Sequence, residues 1–364
     1  VIIVLLIVFI FLILRFTVTL FNYVSNPKLP RIGKHYTEKV SILIPARNEE
    51  EDIIALLQSI VEQDYSYYEV VILDDNSTDK TYELCEAFCA KHRQFRVIKG
   101  NPLPEGWLGK NYACCQLAQQ AKGKYYLFLD ADEKVYKGLL NSAVHRMHLR
   151  GLTLLSLFTN QEMQTTGEKI VVPLMHFILL NLLPLRLVFL VRSASVSAAS
   201  GQFMLFDAET YKEYQWHQLV KDKIVEDVEI MKLVKSAKLN GEALLANGMI
   251  SCRMYKSYNE AINGFSKNFL AAFNYNIVGF ALYLLMIIGG PAIILATRNP
   301  NLVSIMLTLV VMSRVMISLA SGQNALRNIW LHPLQMFALL HIGVTSVQKY
   351  FTKSTTWKGR KIPS

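Results

Sequence analysis

Apolar and polar residues alternate in two different ways along this chain. Val1 to Leu14 is an unbroken apolar run that continues past Arg15 to Val24, and about twenty such residues span a bilayer as a helix. No small-x-small cleavage site follows, and Asn26-Pro27-Lys28 reads as a basic exit, so residues 1–24 are expected to form an uncleaved transmembrane anchor. A second apolar block covers residues 269–348. It carries no charge from Asn268 to Thr297, with Gly289-Gly290-Pro291 placed to bend the helix. Arg298-Asn299-Pro300-Asn301 predicts a tight turn, and Leu302–Ala320 returns with Arg314 snorkelling or facing other helices. Trp330–Val347 is a third candidate. Three crossings would put the basic tail, 349–364, on the far side. Either one of the three is re-entrant or interfacial, the favoured reading with Trp330–Val347 the least secure crossing, or the charge rule fails here; the block is expected to hold two or three membrane helices. Ile170–Val191 is apolar but interrupted by Pro173, Pro184 and Arg186, which predicts interfacial helices over 170–192.

Between the apolar blocks, residues 38–268 follow another rhythm. Short β-rich runs (Val40–Ile44, Glu69–Leu73, Phe95–Ile98) alternate with helical stretches (Glu50–Gln63, Asp79–His92, Asn111–Ala121). Tyr125–Leu129 and Leu152–Leu157 add further strands. Strands alternating with helices of this length predict right-handed βαβ units and a mostly parallel, Rossmann-like α/β sheet. Ligands on such sheets bind at the carboxyl ends of the strands.

Composition changes this picture only through where the charge lies. The 364 residues are 52% hydrophobic and 18% charged, which excludes a disordered or collagen-like chain. The net charge of +10 would suggest nucleic acid, but all 28 acidic residues lie between Glu38 and Glu260, a window holding 25 Lys and Arg. The positive excess therefore flanks apolar sequence, where anionic lipid attracts it. Nucleic-acid binding is not supported. Lys28, Arg31, Lys34 and Lys39 predict a cell-membrane protein with its central domain in the cytoplasm. The five cysteines show no zinc spacing and read as small thiols in a reducing compartment.

Three strand ends carry distinctive groups: Pro45-Ala46-Arg47-Asn48-Glu49-Glu50, Asp74-Asp75-Asn76-Ser77-Thr78-Asp79 and Asp130-Ala131-Asp132. Ser77 or Asp79 alone could be a helix cap. Asp-x-Asp directly after Tyr-Tyr-Leu-Phe-Leu is different: paired carboxylates there repel unless a cation or a buried proton intervenes, and hard oxygen ligands suit Mg²⁺ or Mn²⁺. An ion held by Asp132 and Asp130 would neutralise a diphosphate leaving group.

With Gly109-Lys110-Asn111-Tyr112-Ala113 and Glu226-Asp227 in the same order, these motifs resemble glycosyltransferase family 2, inverting enzymes with a GT-A fold. The resemblance runs from Val40 to about Asn268. Shorter likenesses, in Leu103–Lys110, His332-Pro333-Leu334 and Trp357-Lys358-Gly359-Arg360, resemble membrane enzymes that glycosylate lipids. These are the carotenoid (diaponeurosporenoate-type), hopanoid-associated and ceramide glucosyltransferase-like groups. The resemblance implies a nucleotide-diphosphate sugar as donor, by default UDP-glucose, and a membrane lipid as acceptor. It implies Pro45, Ala46, Asn48 and Glu49 at the nucleotide, Asp74 and Asp75 at uracil and ribose, and Asp130 with Asp132 at ribose and metal. Lys110, Arg253 and Lys267 would meet the diphosphate. Asp227 would be the base, with Glu226 orienting it or contacting the acceptor; the alternative is that the pair caps a helix over Val228–Ser236. His217 is placed at the acceptor side. No Gln-x-x-Arg-Trp motif follows Glu226-Asp227, since Asn263–Asn268 stands there, so a processive polysaccharide synthase is the lesser alternative. A transporter or scaffold fits the acidic strand ends less well.

Overall fold

The computed structural model describes residues 2–273, 275–352, 356, 357, 360 and 361. Ten strands order the central domain among these residues: β1 (Val40–Ala46), β2 (Tyr68–Asp74), β3 (Phe95–Lys99), β4 (Tyr125–Leu129), β5 (Glu133–Val135), β6 (Leu154–Phe158), β7 (Asn160–Gln161), β8 (Phe203–Asp207), β9 (Gly241–Leu245) and β10 (Ile250–Cys252). Seven of them form one sheet in the order β3-β2-β1-β4-β8-β6-β9. Every pair in it is parallel except those of β8, which runs antiparallel to β4 and β6. β1 and β4 read as continuous apolar runs because both faces are covered. A small second sheet, β5-β10-β7, stands beside the ends of β4 and β6.

The five strands expected from the apolar runs are present, each within two residues of the predicted ends. β8, β9 and the small sheet were not anticipated. The three expected helices are Ile53–Val61, Thr81–Cys89 and Gly109–Gln120. The first two begin later than expected because Glu50 and Asp79 serve the strand-end loops, and they also end earlier; the third begins two residues earlier, at Gly109.

Among the described residues, three helices are long and apolar enough to cross a membrane: Ile2–Ser25, Ile277–Ala296 and Pro300–Ser321. Val8, Leu12, Ile294 and Met306 cluster near one end of the bundle. A Cβ on Gly290 would stand 3.0 Å from a Val8 methyl, so glycine permits that close approach. At the other end the Lys28 ammonium donates to the Leu319 carbonyl (3.2 Å). The predicted bend at Gly289-Gly290-Pro291 is a π-helical turn over Leu285–Gly289. The predicted turn holds, with Asn299 capping the helix that Pro300 opens. Arg314 faces other helices: its guanidinium donates to Gln335 and lies 4.5 Å from the Phe177 ring centroid.

The third C-terminal candidate is the helix His332–Thr352, which is not among the helices apolar enough to span. It buries Gln335, Ala338, Leu339, Ile342, Gly343 and Ser346 and exposes Leu334, Phe337, Val344 and Phe351. The segment read as interfacial forms Thr166–Val171, Leu174–Leu182 and Leu187–Leu190. These helices do not simply lie flat with a free face. Phe177, Leu180, Asn181 and Leu185 are buried, and Asn22 of the first membrane helix donates to the carbonyls of Leu180 and Leu183 (2.8 Å each). Broken backbone supplies the unpaired carbonyls that make this contact possible.

The chain leaving the first helix is tied to the seven-stranded sheet. Leu245 N–H donates to Pro27 (2.8 Å) and Leu29 N–H donates to Leu245 (2.9 Å), which covers the exposed edge of β9. On β9, Glu242 receives a two-pronged bond from Arg146. Of the basic tail, Lys358 and Gly359 lie outside the described residues.

Candidate active site

The carboxyl ends of β2, β1 and β4 lie side by side, so the three acidic or polar strand ends share one edge. Two of them are laced together by polar loops. Asn48, at φ 53°, accepts from Thr78 N–H (2.8 Å), and its own N–H donates to Ser77 Oγ (3.0 Å). Glu49 N–H donates to Thr81 Oγ1 (2.8 Å), and Ala46 accepts from Asp75 N–H (2.8 Å). Asp74 and Asp75 are buried, and one Asp74 carboxylate oxygen has no donor. Pro45 and Ala46 form the floor at the end of β1.

A second group forms around Lys110, at the start of the helix Gly109–Gln120. Its ammonium lies 2.7 Å from Asp130 Oδ1 and 3.4 Å from Glu226 Oε1. Burial opposes that charge, but Asp130 and Glu226 outweigh it and hold the ammonium well above its usual range. Lys267 lies within the field of Glu226, Lys110, Asp130 and Asp227, and burial pulls its ammonium down. Asp227 opens the helix Glu226–Ser236. Its carboxylate accepts from Gly201 N–H and Val228 N–H, both at 2.8 Å. Burial, and then the Glu226 charge, push the Asp227 carboxyl up to about 7.

The sequence reading missed three supports of this group. A Cβ on Gly201 would meet Lys110 Nζ at 3.0 Å and Glu226 Oε1 at 3.1 Å, so a larger residue there would press on both charged side chains. The small-residue stretch Ser193–Gly201 before β8 was the available signal. Asn111 donates to the carbonyls of Val220 (2.8 Å), Lys221 (3.3 Å) and Lys223 (3.1 Å) and so pins the loop that presents Glu226-Asp227. Asn111→Ala should cost about 1–3 kcal/mol of stability in chemical denaturation, because buried carbonyls lose their donor. The third support is Glu133, next to Asp132 on β5. Its carboxylate is buried and makes no hydrogen bond of normal geometry.

Two residues stand elsewhere than expected. Arg253 turns to Glu168, with Nε at 3.3 Å and an Nη at 2.8 Å; that buried carboxylate needs a counter-charge. His217 does not line an acceptor side. It is buried against Phe128 and Phe206, bonded to Tyr211 at 2.6 Å, and burial lowers its pKa to about 3.

Comparison with known proteins bears on the family and the fold. Residues 41–214 match the model of glycosyl transferase family 2. That stretch is a family 2 glycosyltransferase domain. A 4,4'-diaponeurosporenoate glycosyltransferase of Staphylococcus haemolyticus is 27% identical over 238 residues, 64% of this chain and 61% of the relative. The match thus spans about three fifths of that relative's length. A beta-monoglucosyldiacylglycerol synthase of Nostoc is 34% identical over 103 residues, 28% of this chain and 22% of its own. Among solved structures, a mannosyltransferase from Pyrobaculum calidifontis in complex with GDP-Man and Mn²⁺ aligns over 96% of this chain and 99% of its own, with TM-score 0.55 and 14% identity. The fold of the family 2 domain is thus GT-A, as expected.

Proposed function

We propose that the protein is a membrane-bound, inverting, non-processive glycosyltransferase that moves a sugar from a nucleotide-diphosphate donor, UDP-glucose first among them, to a lipid. The observation that carries this reading is Asp227, held by two backbone N–H groups in the same cleft as Asp130 and Lys110, with its pKa near 7. A base of that strength is matched to neutral pH. Asp227 takes the proton of an acceptor hydroxyl as the oxygen attacks the anomeric carbon. Glu226 keeps the pKa of Asp227 raised, and Lys110 and Lys267 offset the charge of the departing diphosphate. The unpartnered Asp74 oxygen supports a nucleoside donor at the β2 end.

A base favours a hydroxyl lipid, such as a hopanoid or sphingolipid, over a carotenoid acid, whose carboxylate is already a nucleophile. The three apolar helices and the exposed apolar stripe of His332–Thr352 support catalysis at a bilayer surface, with that helix lying in the interface. Two C-terminal crossings return the chain to the side of the catalytic domain, so the basic flanks agree with a cytoplasmic domain at the cell membrane. Residues near Asp132 fit a divalent ion, Mg²⁺ or Mn²⁺, because Glu133 offers a buried carboxylate with no donor of its own. Such an ion would neutralise diphosphate charge. The relative solved with Mn²⁺ supports the same assignment.

The test is nucleotide release by the detergent-purified protein given UDP-glucose, with and without lipid extract. A pH series adds a second check. Asp227 binds a proton as pH falls through about 7 and ceases to be a base, so kcat/KM should fall about tenfold for each pH unit below that point. A flat profile between pH 5 and about 8 would exclude Asp227 as the base.

A further inference from the structure

Cys252 reads from the sequence as an inert buried thiol, yet the fold places it where an ion would be held. β5 and β10 pair antiparallel with Glu133 opposite Cys252, which sets their side chains next to each other. The Cys252 thiol lies 3.3 Å from Asp132 Oδ2. One ligand atom from each of Asp132, Glu133 and Cys252 falls within 4.8 Å of the other two. Atoms bonded to one ion at about 2.0–2.3 Å stand that far apart. Glu133 is 2% exposed and Cys252 1%. Neither Glu133 oxygen makes a hydrogen bond of normal geometry. A buried carboxylate without donors costs stability unless a proton or a cation neutralises it. Asp130, by contrast, is engaged with Lys110 at 2.7 Å.

We infer that the divalent ion of this site is bound by the Asp132 carboxylate, the Glu133 carboxylate and the Cys252 thiolate, with Asp130 left to Lys110. This rests on the glycosyltransferase reading for the ion's purpose, but not for its ligands. Binding releases the thiol proton to solvent, and a metal–sulfur bond takes its place. A sulfur ligand gives the site an affinity for softer ions that an all-oxygen site lacks, so it favours Mn²⁺, Co²⁺ and Zn²⁺ over Mg²⁺.

Co²⁺ titration of the full-length protein in detergent, followed by absorption, tests the ligand set without any sugar transfer. A near-ultraviolet thiolate-to-Co²⁺ charge-transfer band should grow to one equivalent. It should vanish in Cys252→Ser, which keeps the other four thiols. Cys252→Ser and Glu133→Gln should each weaken Co²⁺ binding at least as much as loss of a supporting partner does, about 10–100-fold. The melting temperature of each variant without metal shows that it is folded. Co²⁺ binding without the band, or an equal band in Cys252→Ser, overturns the ligand set. UDP-glucose turnover measured in parallel separates the two ideas: transfer with no sulfur ligation would leave the enzyme reading standing and this inference overturned.

Discussion

Asp227→Asn should lower sugar transfer by about 10²–10⁴-fold while the protein still binds its nucleotide donor. The substitution keeps the shape of the side chain, and its one amide oxygen can take the place of either carboxylate oxygen, accepting from Gly201 N–H or from Val228 N–H. It removes the capacity to take a proton and one of these two hydrogen bonds. With the donor held at the β1, β2 and β4 ends, as proposed, its affinity should change little, so the loss is expected in kcat. The alternative role, a helix cap for Glu226–Ser236, predicts the reverse. An asparagine caps as well as an aspartate, so activity would then survive. Turnover and UDP affinity measured on the same preparation separate the two.

Glu242→Ala should destabilise the fold by about 3–5 kcal/mol, the cost of breaking a buried ion pair. Glu242 and Arg146 are 2% and 6% exposed and meet through two bonds of 2.5 Å, with an Arg186 nitrogen 3.8 Å away. Removing the carboxylate leaves Arg146 buried without a counter-charge. Chemical denaturation in detergent measures the loss, and the double variant Arg146→Met/Glu242→Leu should recover much of it, since an apolar pair of similar volume carries no desolvation cost. Because β9 also pairs with the linker from the apolar helix Ile2–Ser25, the same variant should loosen that helix from the seven-stranded sheet.

Much of the fold was legible because its signals are local. The doubly buried strands β1, β2 and β4 are continuous apolar runs, and the acidic motifs stand directly at their ends. The membrane helices are legible from length and hydropathy alone. What escaped depends on pairing across long separations. β8 completes the sheet antiparallel between β4 and β6, and nothing in Phe203–Asp207 itself announces that direction. Gly201 and Asp227 meet only because β8 brings the loop before it under the Glu226–Ser236 helix. Cys252 joins Glu133 only through the register of β5 and β10. Arg253 and His217 were misplaced for the opposite reason. Each looked available in sequence, and each is claimed by a neighbour that needs it: Glu168 for its charge, Tyr211 for its hydroxyl.

The central claim is transfer of a sugar from a nucleotide donor to a membrane lipid by the cleft around Asp227. The most direct measurement is UDP release by purified protein with UDP-glucose and Mn²⁺, with and without lipid extract, followed by mass spectrometry of the lipid. The account predicts lipid-dependent release, a lipid heavier by one hexose, and loss of both in Asp227→Asn. Release that is indifferent to lipid and unchanged in Asp227→Asn would contradict it.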